Sequence, residues 1–191
     1  MKAFAIVVCS VLMLLGCQKS ATVREAEGQQ AFVQLQGAKL VLKRPLTVTT
    51  GSARVFVQGG SAADGGGIRV LSGGFDQYRP HCAFEIRSVQ HDGFTIEPDT
   101  FRIIQVQGSL QSVVMSGPIM VASLQLAGGG GMDASGSSAY HQGYHFWLES
   151  ERQPQVRRMS CYGVYAEPDR LQPPTLQEIR ETLGDIAEIR R

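Results

Sequence analysis

The chain lacks an excess of charge of either sign: 18 Lys and Arg stand against 17 Asp and Glu, a formal net charge of +1 over 191 residues. It has no polybasic tail and no arginine cluster interleaved with aromatics, which argues against nucleic acid as a partner. Aromatic residues make up only 7% of the chain, and Trp147 is the single tryptophan. No Cys-x-x-Cys pair occurs, which removes the usual signature of a dithiol redox centre or a zinc ribbon. Gly-x-Ser-x-Gly and Ser-x-x-Lys, signs of common hydrolases, are also missing, so no residue is assigned a catalytic role. Beyond residue 17 no apolar run approaches the about 20 residues that span a bilayer.

What is present begins at the N-terminus. Lys2 is the only charge before Lys19, and the apolar stretch from Ala3 to Leu15 ends abruptly at Gly16-Cys17-Gln18. A short positive region, an apolar core too brief to cross a membrane comfortably and a small residue before a possible cut form the pattern of a signal peptide. Leu14-Leu15-Gly16-Cys17 resembles the lipobox of bacterial lipoproteins. That resemblance implies cleavage before Cys17, transfer of a diacylglyceryl group to its thiol and acylation of the new amine. Residues 1–16 are then signal peptide. Gln18, where inner-membrane lipoproteins carry Asp, implies the outer membrane, with the protein facing the periplasm. Several acyl chains, at about 0.8 kcal/mol per buried methylene, would make the anchoring effectively permanent.

The mature chain would carry 17 basic and 17 acidic residues and is long enough for one well-buried domain. Its remaining cysteines, Cys82 and Cys161, form an even pair in a compartment that oxidises thiols. Each falls in an alternating segment: Cys82, Phe84 and Ile86 share one strand face, and Met159 shares a face with Cys161. Both therefore point with core residues, as an interior disulfide requires.

Residues 17–30 are small, polar and unpatterned and read as a lipidated flexible tether. From Ala31 to Arg191 the pattern is that of a single β-rich domain. Period-two segments at residues 32–35, 40–42, 53–58, 68–71, 82–89, 101–107, 113–115, 119–126, 144–149 and 156–165 predict an all-β sandwich or barrel of about 8–10 short antiparallel strands. Two glycine-rich stretches, 61–67 and 127–138, lack residues to bury and read as surface loops. Neither has the spacing of a phosphate-binding loop. Pro173-Pro174, Thr175 and Glu178 form a helix start with a capping box, and Leu176, Ile179, Leu183 and Ile186 recur at helical spacing. They predict one C-terminal amphipathic helix over 175–190, packed on the β domain.

The most individual segment is Tyr78-Arg79-Pro80-His81-Cys82, followed by Ala83-Phe84-Glu85. With Ala53–Gly59 upstream, it resembles a group of proteobacterial lipoproteins with no assigned activity, so the resemblance implies the compartment and no chemistry. Two readings of the residues stand side by side. Asp76, Tyr78, His81 and Glu85 could form an acid–base group, or Tyr78 and His81 could pack beside the disulfide and fix the loop. Trp147, in Tyr144-His145-Phe146-Trp147-Leu148, could form a ligand wall or belong to the core. Tyr78, His81 and Trp147 are the candidate ligand-binding residues. His141 and His145 lie on one strand face but about 13 Å apart, too far to share an ion at the usual zinc–nitrogen distance of about 2.0–2.1 Å. No metal and no other cofactor is expected.

These features favour a non-catalytic, membrane-anchored envelope lipoprotein that binds a protein partner or supports an envelope assembly. The alternatives are a small-ligand or metal-binding lipoprotein and an envelope hydrolase with an unrecognised site. The disulfide assignment has a direct check. Thiol titration of the denatured, non-reduced mature domain should find neither Cys82 nor Cys161 free, and two reactive thiols there refute it. Closing 79 positions of chain should contribute about 4–5 kcal/mol, lost on reduction.

Overall fold

A computed structural model describes residues 20–63, 76–113 and 139–191. The signal segment, Cys17, the strand-like segments 68–71 and 119–126 and the glycine-rich stretch 127–138 lie outside the described residues. Twelve strands and one helix are formed within them: β1 Thr22–Arg24, β2 Phe32–Gln34, β3 Lys39–Leu42, β4 Leu46–Val48, β5 Arg54–Gln58, β6 Ser61–Ala63, β7 His81–Ile86, β8 Phe94–Ile96, β9 Asp99–Val113, β10 Ala139–Glu149, β11 Val156–Tyr162, α1 Leu176–Leu183 and β12 Ala187–Arg190. Eight strands make one antiparallel sheet in the order β12-β3-β9-β10-β11-β7-β5-β6, curled into a half-barrel. The pairs β1–β2 and β4–β8 stand beside it. Among the described residues the fold is all-β with one short helix. Among the described residues no helix is long and apolar enough to cross a membrane.

Strict alternation builds the core. Val55 and Val57 on β5, Cys82, Phe84 and Ile86 on β7, Phe146 and Leu148 on β10 and Met159 and Cys161 on β11 all face inward and are buried. Cys82 and Cys161 are directly paired across β7 and β11, their Cα atoms 4.1 Å apart, and joined in a disulfide. The pairing of β7 with β11 is the joint between the β5–β6–β7 strands and the β9–β10–β11 meander.

α1 covers the concave face. Thr175 caps it: the Glu178 N–H donates to Thr175 Oγ1 at 3.2 Å, and the Thr175 N–H donates to Glu178 Oε2 at 2.7 Å. Such a cap is worth about 1 kcal/mol. Leu176, Ile179 and Leu183 form its buried stripe, and the helix packs on β5, β7 and β12. It stops earlier than its apolar spacing predicts. Gly184 has φ +50°, and the chain then turns so that Ala187 and Ile189 enter β12, paired with β3. Ile186 and Ile189, expected on a helix reaching 190, are buried at the end of that turn and in β12.

Two other expectations are corrected. The tether does not extend to residue 30. Ser20 is buried, its Oγ accepts from the Val106 N–H at 2.9 Å, and the Ala21 N–H donates to the Val106 carbonyl at 2.7 Å. β1 follows, with Val23 in the core, so residues 20–24, ahead of Ala31, already belong to the fold. The first glycine-rich stretch opens as a strand, since Ser61–Ala63 pairs with β5.

The Gly59-Gly60 turn between β5 and β6 meets the turn after α1. The Gly60 N–H donates to the Thr182 carbonyl at 3.0 Å, and a Cβ at position 184 would lie 2.6 Å from Gly60 Cα. Backbone cannot yield as a flexible side chain does, and φ +50° is itself costly for any L side chain. Gly184→Ala should therefore lower the stability of the domain by about 2 kcal/mol or more. Chemical denaturation checks this, and an unchanged midpoint refutes the tight seam.

Candidate functional site

The convex face of the sheet carries the polar side chains left over by the alternation, and the strand registers arrange them in rows. One row runs Ser109, Gly143, Tyr162, His81 across β9, β10, β11 and β7. Gly143 is required there, because a Cβ would sit 2.1 Å from the Cys161 carbonyl oxygen and 2.7 Å from Tyr162 Cδ1. The Tyr162 ring reaches over this gap, and its hydroxyl meets Ser109 Oγ at 3.2 Å. His81 stacks on Tyr162 with ring centroids 5.8 Å apart. The His141 ring, which sequence spacing alone left remote from His81, meets it edge-on at 5.1 Å.

Both histidines are buried. His141 Nδ1 lies 3.0 Å from the Gly163 carbonyl and His81 Nδ1 3.3 Å from the Arg79 carbonyl. A carbonyl only accepts, so each Nδ1 carries the hydrogen and each ring is held as the Nδ1–H tautomer. Burial pushes His81 down to about 4, with the charge of His141 adding to the fall and the Arg79 hydrogen bond opposing it. His141 is also lowered, by burial against the Gly163 hydrogen bond. The pair is neutral at physiological pH.

The segment before β7 is positioned by Gln58, which the sequence reading passed over. Its Oε1 accepts from the Asp76 N–H at 2.9 Å, and its Nε2 donates to the carbonyls of Asp76 at 2.9 Å and Pro80 at 3.1 Å. Asp76 in turn accepts from the Tyr78 N–H at 2.9 Å. This leaves Tyr78 64% exposed, its ring edge-on to Tyr165 at 5.8 Å, and Tyr165 in turn 5.8 Å from His141. Tyr78 thus reaches His81 through two intervening rings.

A second row lies four residues further along. Arg54, Glu85, Arg158, Trp147 and Gln105 are successive register partners across β5, β7, β11, β10 and β9. Arg158 donates from Nε and Nη2 to Glu85 Oε2, both at 2.9 Å. Ser160 donates to Glu85 Oε1 at 2.6 Å, and His145 Nδ1 meets Ser160 Oγ at 2.8 Å. With the single Ser160 proton given to the carboxylate, His145 is the donor in that second bond. Burial would raise the Glu85 carboxyl. The hydrogen bonds from Ser160 and Arg158 and the charges of Arg158 and Arg54 outweigh it and hold Glu85 below its ordinary value. His145 is lowered by burial and by Arg158.

Trp147 is half-buried, donates to Gln107 Oε1 at 3.2 Å and lies under the guanidinium groups of Arg157 and Arg158, at 5.0 and 5.4 Å. The register shift between Val156 and Arg158 brings Arg157 onto this side. The rows of Trp147 and His81 are about 13 Å apart, so the three sequence candidates share one face without converging on one pocket. The grouping of Asp76, Tyr78, His81 and Glu85 does not form either. Asp76 caps a turn, and Glu85 belongs to the Trp147 row. Among the described residues no three His, Cys, Asp or Glu side chains gather to hold a metal. Ser160, Tyr162 and Gln58 were missed, and His141 was not linked to His81, because the sequence does not display which strands are neighbours.

The fold and this face define an all-β protein, a helix-covered antiparallel half-barrel with a polar, arginine- and tyrosine-bearing convex side. No family model matches the chain, and no curated protein or solved structure proves similar to it.

The His81 environment sets a pH dependence. A folded pKa of about 4 lies below the ordinary 6.5, so the unfolded chain binds the proton more readily. The stability that neutral His81 contributes is complete above pH 6.5 and is lost as pH falls from 6.5 to 4. The loss should be about 3 kcal/mol. Denaturation midpoints followed over that range should fall less steeply in His81→Gln than in the wild type. Parallel slopes would refute the assignment.

Proposed function

We propose that this is a lipid-anchored envelope protein, tied to the outer membrane through Cys17, whose half-barrel binds a protein partner without catalysing a reaction. The address rests on Lys2, the apolar stretch after it and Leu14-Leu15-Gly16-Cys17. The observation that carries the binding role is the commitment of the convex-face polar groups to one another. Ser160, 1% exposed, gives its proton to Glu85 and accepts from His145, the reverse of the arrangement in which a histidine activates a serine. Arg158 is taken up by the same carboxylate. The face supplies positioned shape and hydrogen-bonding groups, and its exposed aromatic, Tyr78, is held out on a turn braced by Gln58. Tyrosine and tryptophan backed by arginine are residue types that concentrate binding energy at protein interfaces.

Two measurements test the two parts of this reading. Cells given a traceable fatty acid should label the wild-type protein, and Cys17→Ser should abolish the label and release the protein from the membrane fraction. An unlabelled wild type refutes the anchor. A photoreactive residue placed in living cells at Tyr78 or at Trp147 should crosslink to one recurring envelope protein, identified by mass spectrometry. No crosslink from either position, with the protein anchored, refutes the partner-binding role.

A further inference from the structure

We infer that the β domain rests directly on the surface of the bilayer, with the part of β9 around Ile104 against the lipid head groups. This deepens the proposed anchoring and depends on Cys17 carrying lipid. A tether of residues 18–30 would span up to about 45 Å and hold the domain clear of the membrane. Instead the chain is pinned at Ser20, by the paired hydrogen bonds of its hydroxyl and of the Ala21 N–H to the backbone of Val106. Only three links separate Cys17 from Ser20, which reach at most about 11 Å even when fully extended. The acyl chains occupy the hydrocarbon, so the sulfur of a lipidated Cys17 lies at the base of the head groups. That layer is about 5–8 Å deep on each side of a bilayer. The remaining reach is a few ångströms, and Val106 with its neighbours is brought to the surface whatever path the three links take.

The neighbours of Val106 on β9 suit that position. Ile104, two residues from Val106 on the same strand, is 40% exposed. Ile104 is the extra residue at the register shift, since Trp147 pairs with Gln105 and Leu148 with Ile103. A bulge next to the pinned N-terminal chain thus turns an apolar side chain outward where the head groups would lie. The exposed Val89 lies past the end of β7, which stands three strands, about 14 Å, across the sheet from β9.

Fluorescence quenching on lipid vesicles tests this. The lipidated full-length mature protein is reconstituted in vesicles containing lipids with a nitroxide head group. A fluorophore is attached at Ile104→Cys or, separately, at Val89→Cys after the Cys82–Cys161 disulfide has formed. Intact mass of the same samples reads the acyl group. Quenching at position 104 should exceed that at position 89 several-fold. Inserting twelve Gly and Ser residues between Lys19 and Ser20, a flexible reach of about 20 Å, should bring position 104 down to the level of position 89. Equal quenching at both positions with the acyl mass present overturns this inference and leaves the anchor standing. Undiminished quenching after the insertion overturns it as well, because the short link would then not set the position. Absence of the acyl mass overturns the anchor and the inference together.

Discussion

An antiparallel sheet that curls without closing leaves two edges and a concave apolar face exposed, and the molecule depends on how α1 meets that constraint. Eight residues of helix would be marginal alone. Here they are capped at Thr175 and pressed by Leu176, Ile179 and Leu183 into the hollow of the sheet. The turn that ends the helix at Gly184 touches the Gly59-Gly60 turn, and the chain leaving it becomes β12 at the opposite edge. One short segment therefore fills the hollow, contacts one edge and supplies the last strand of the other. The apolar stripe gives the energy, and the two glycines allow the approach.

The convex side follows different rules. It is polar, yet His81, His141 and Ser160 on it are buried, because neighbouring side chains and the segments before β7 and after β11 lie over them. Polar groups removed from water need partners. Among the described residues no buried side-chain nitrogen or oxygen lacks one. The rows differ in electrostatic character. The first, with neutral His81 stacked on Tyr162, carries no charge, whereas the second is ionic, with Glu85 held between arginines beside Trp147. A neutral, stacked row gives rigidity without a strong field, and the ionic row gives direction to whatever approaches it.

Much of the fold was legible because long strands alternate. The segments holding Arg54–Gln58, His81–Ile86 and Val156–Tyr162 each showed inward apolar positions and a boundary at glycine or proline, whereas β10 was read only from residue 144, because Gly143 lies inside the strand. β1, β4, β6 and β8, at three residues each, are too short for a period to declare itself. β12 was masked by coincidence, since Leu183, Ile186 and Ile189 fit a helix as well as a turn followed by a strand, and Gly184 decides between them. Ser20–Arg24 read as tether because a single inward valine carries no pattern. The disulfide was legible from its two faces. The convex rows were not, because they arise from register between strands distant in sequence. His81 was singled out on the strength of its segment, but its real neighbours, Tyr162 and His141, come from the other half of the chain.

The Cys82–Cys161 bond also ties the architecture to the order in which the chain is made. Cys82 leaves the ribosome 79 residues ahead of the cysteine it needs, an interval of about 4–16 s at typical rates of synthesis of ~5–20 residues per second. Of the three elements that pack on β7, β5 precedes it in the chain, whereas β11 and α1, which complete the cover of Phe84 and Ile86, come after it. The native pairing of β7 with β11 therefore waits for the last third of the chain, and the bond that locks it closes only after synthesis has passed Cys161.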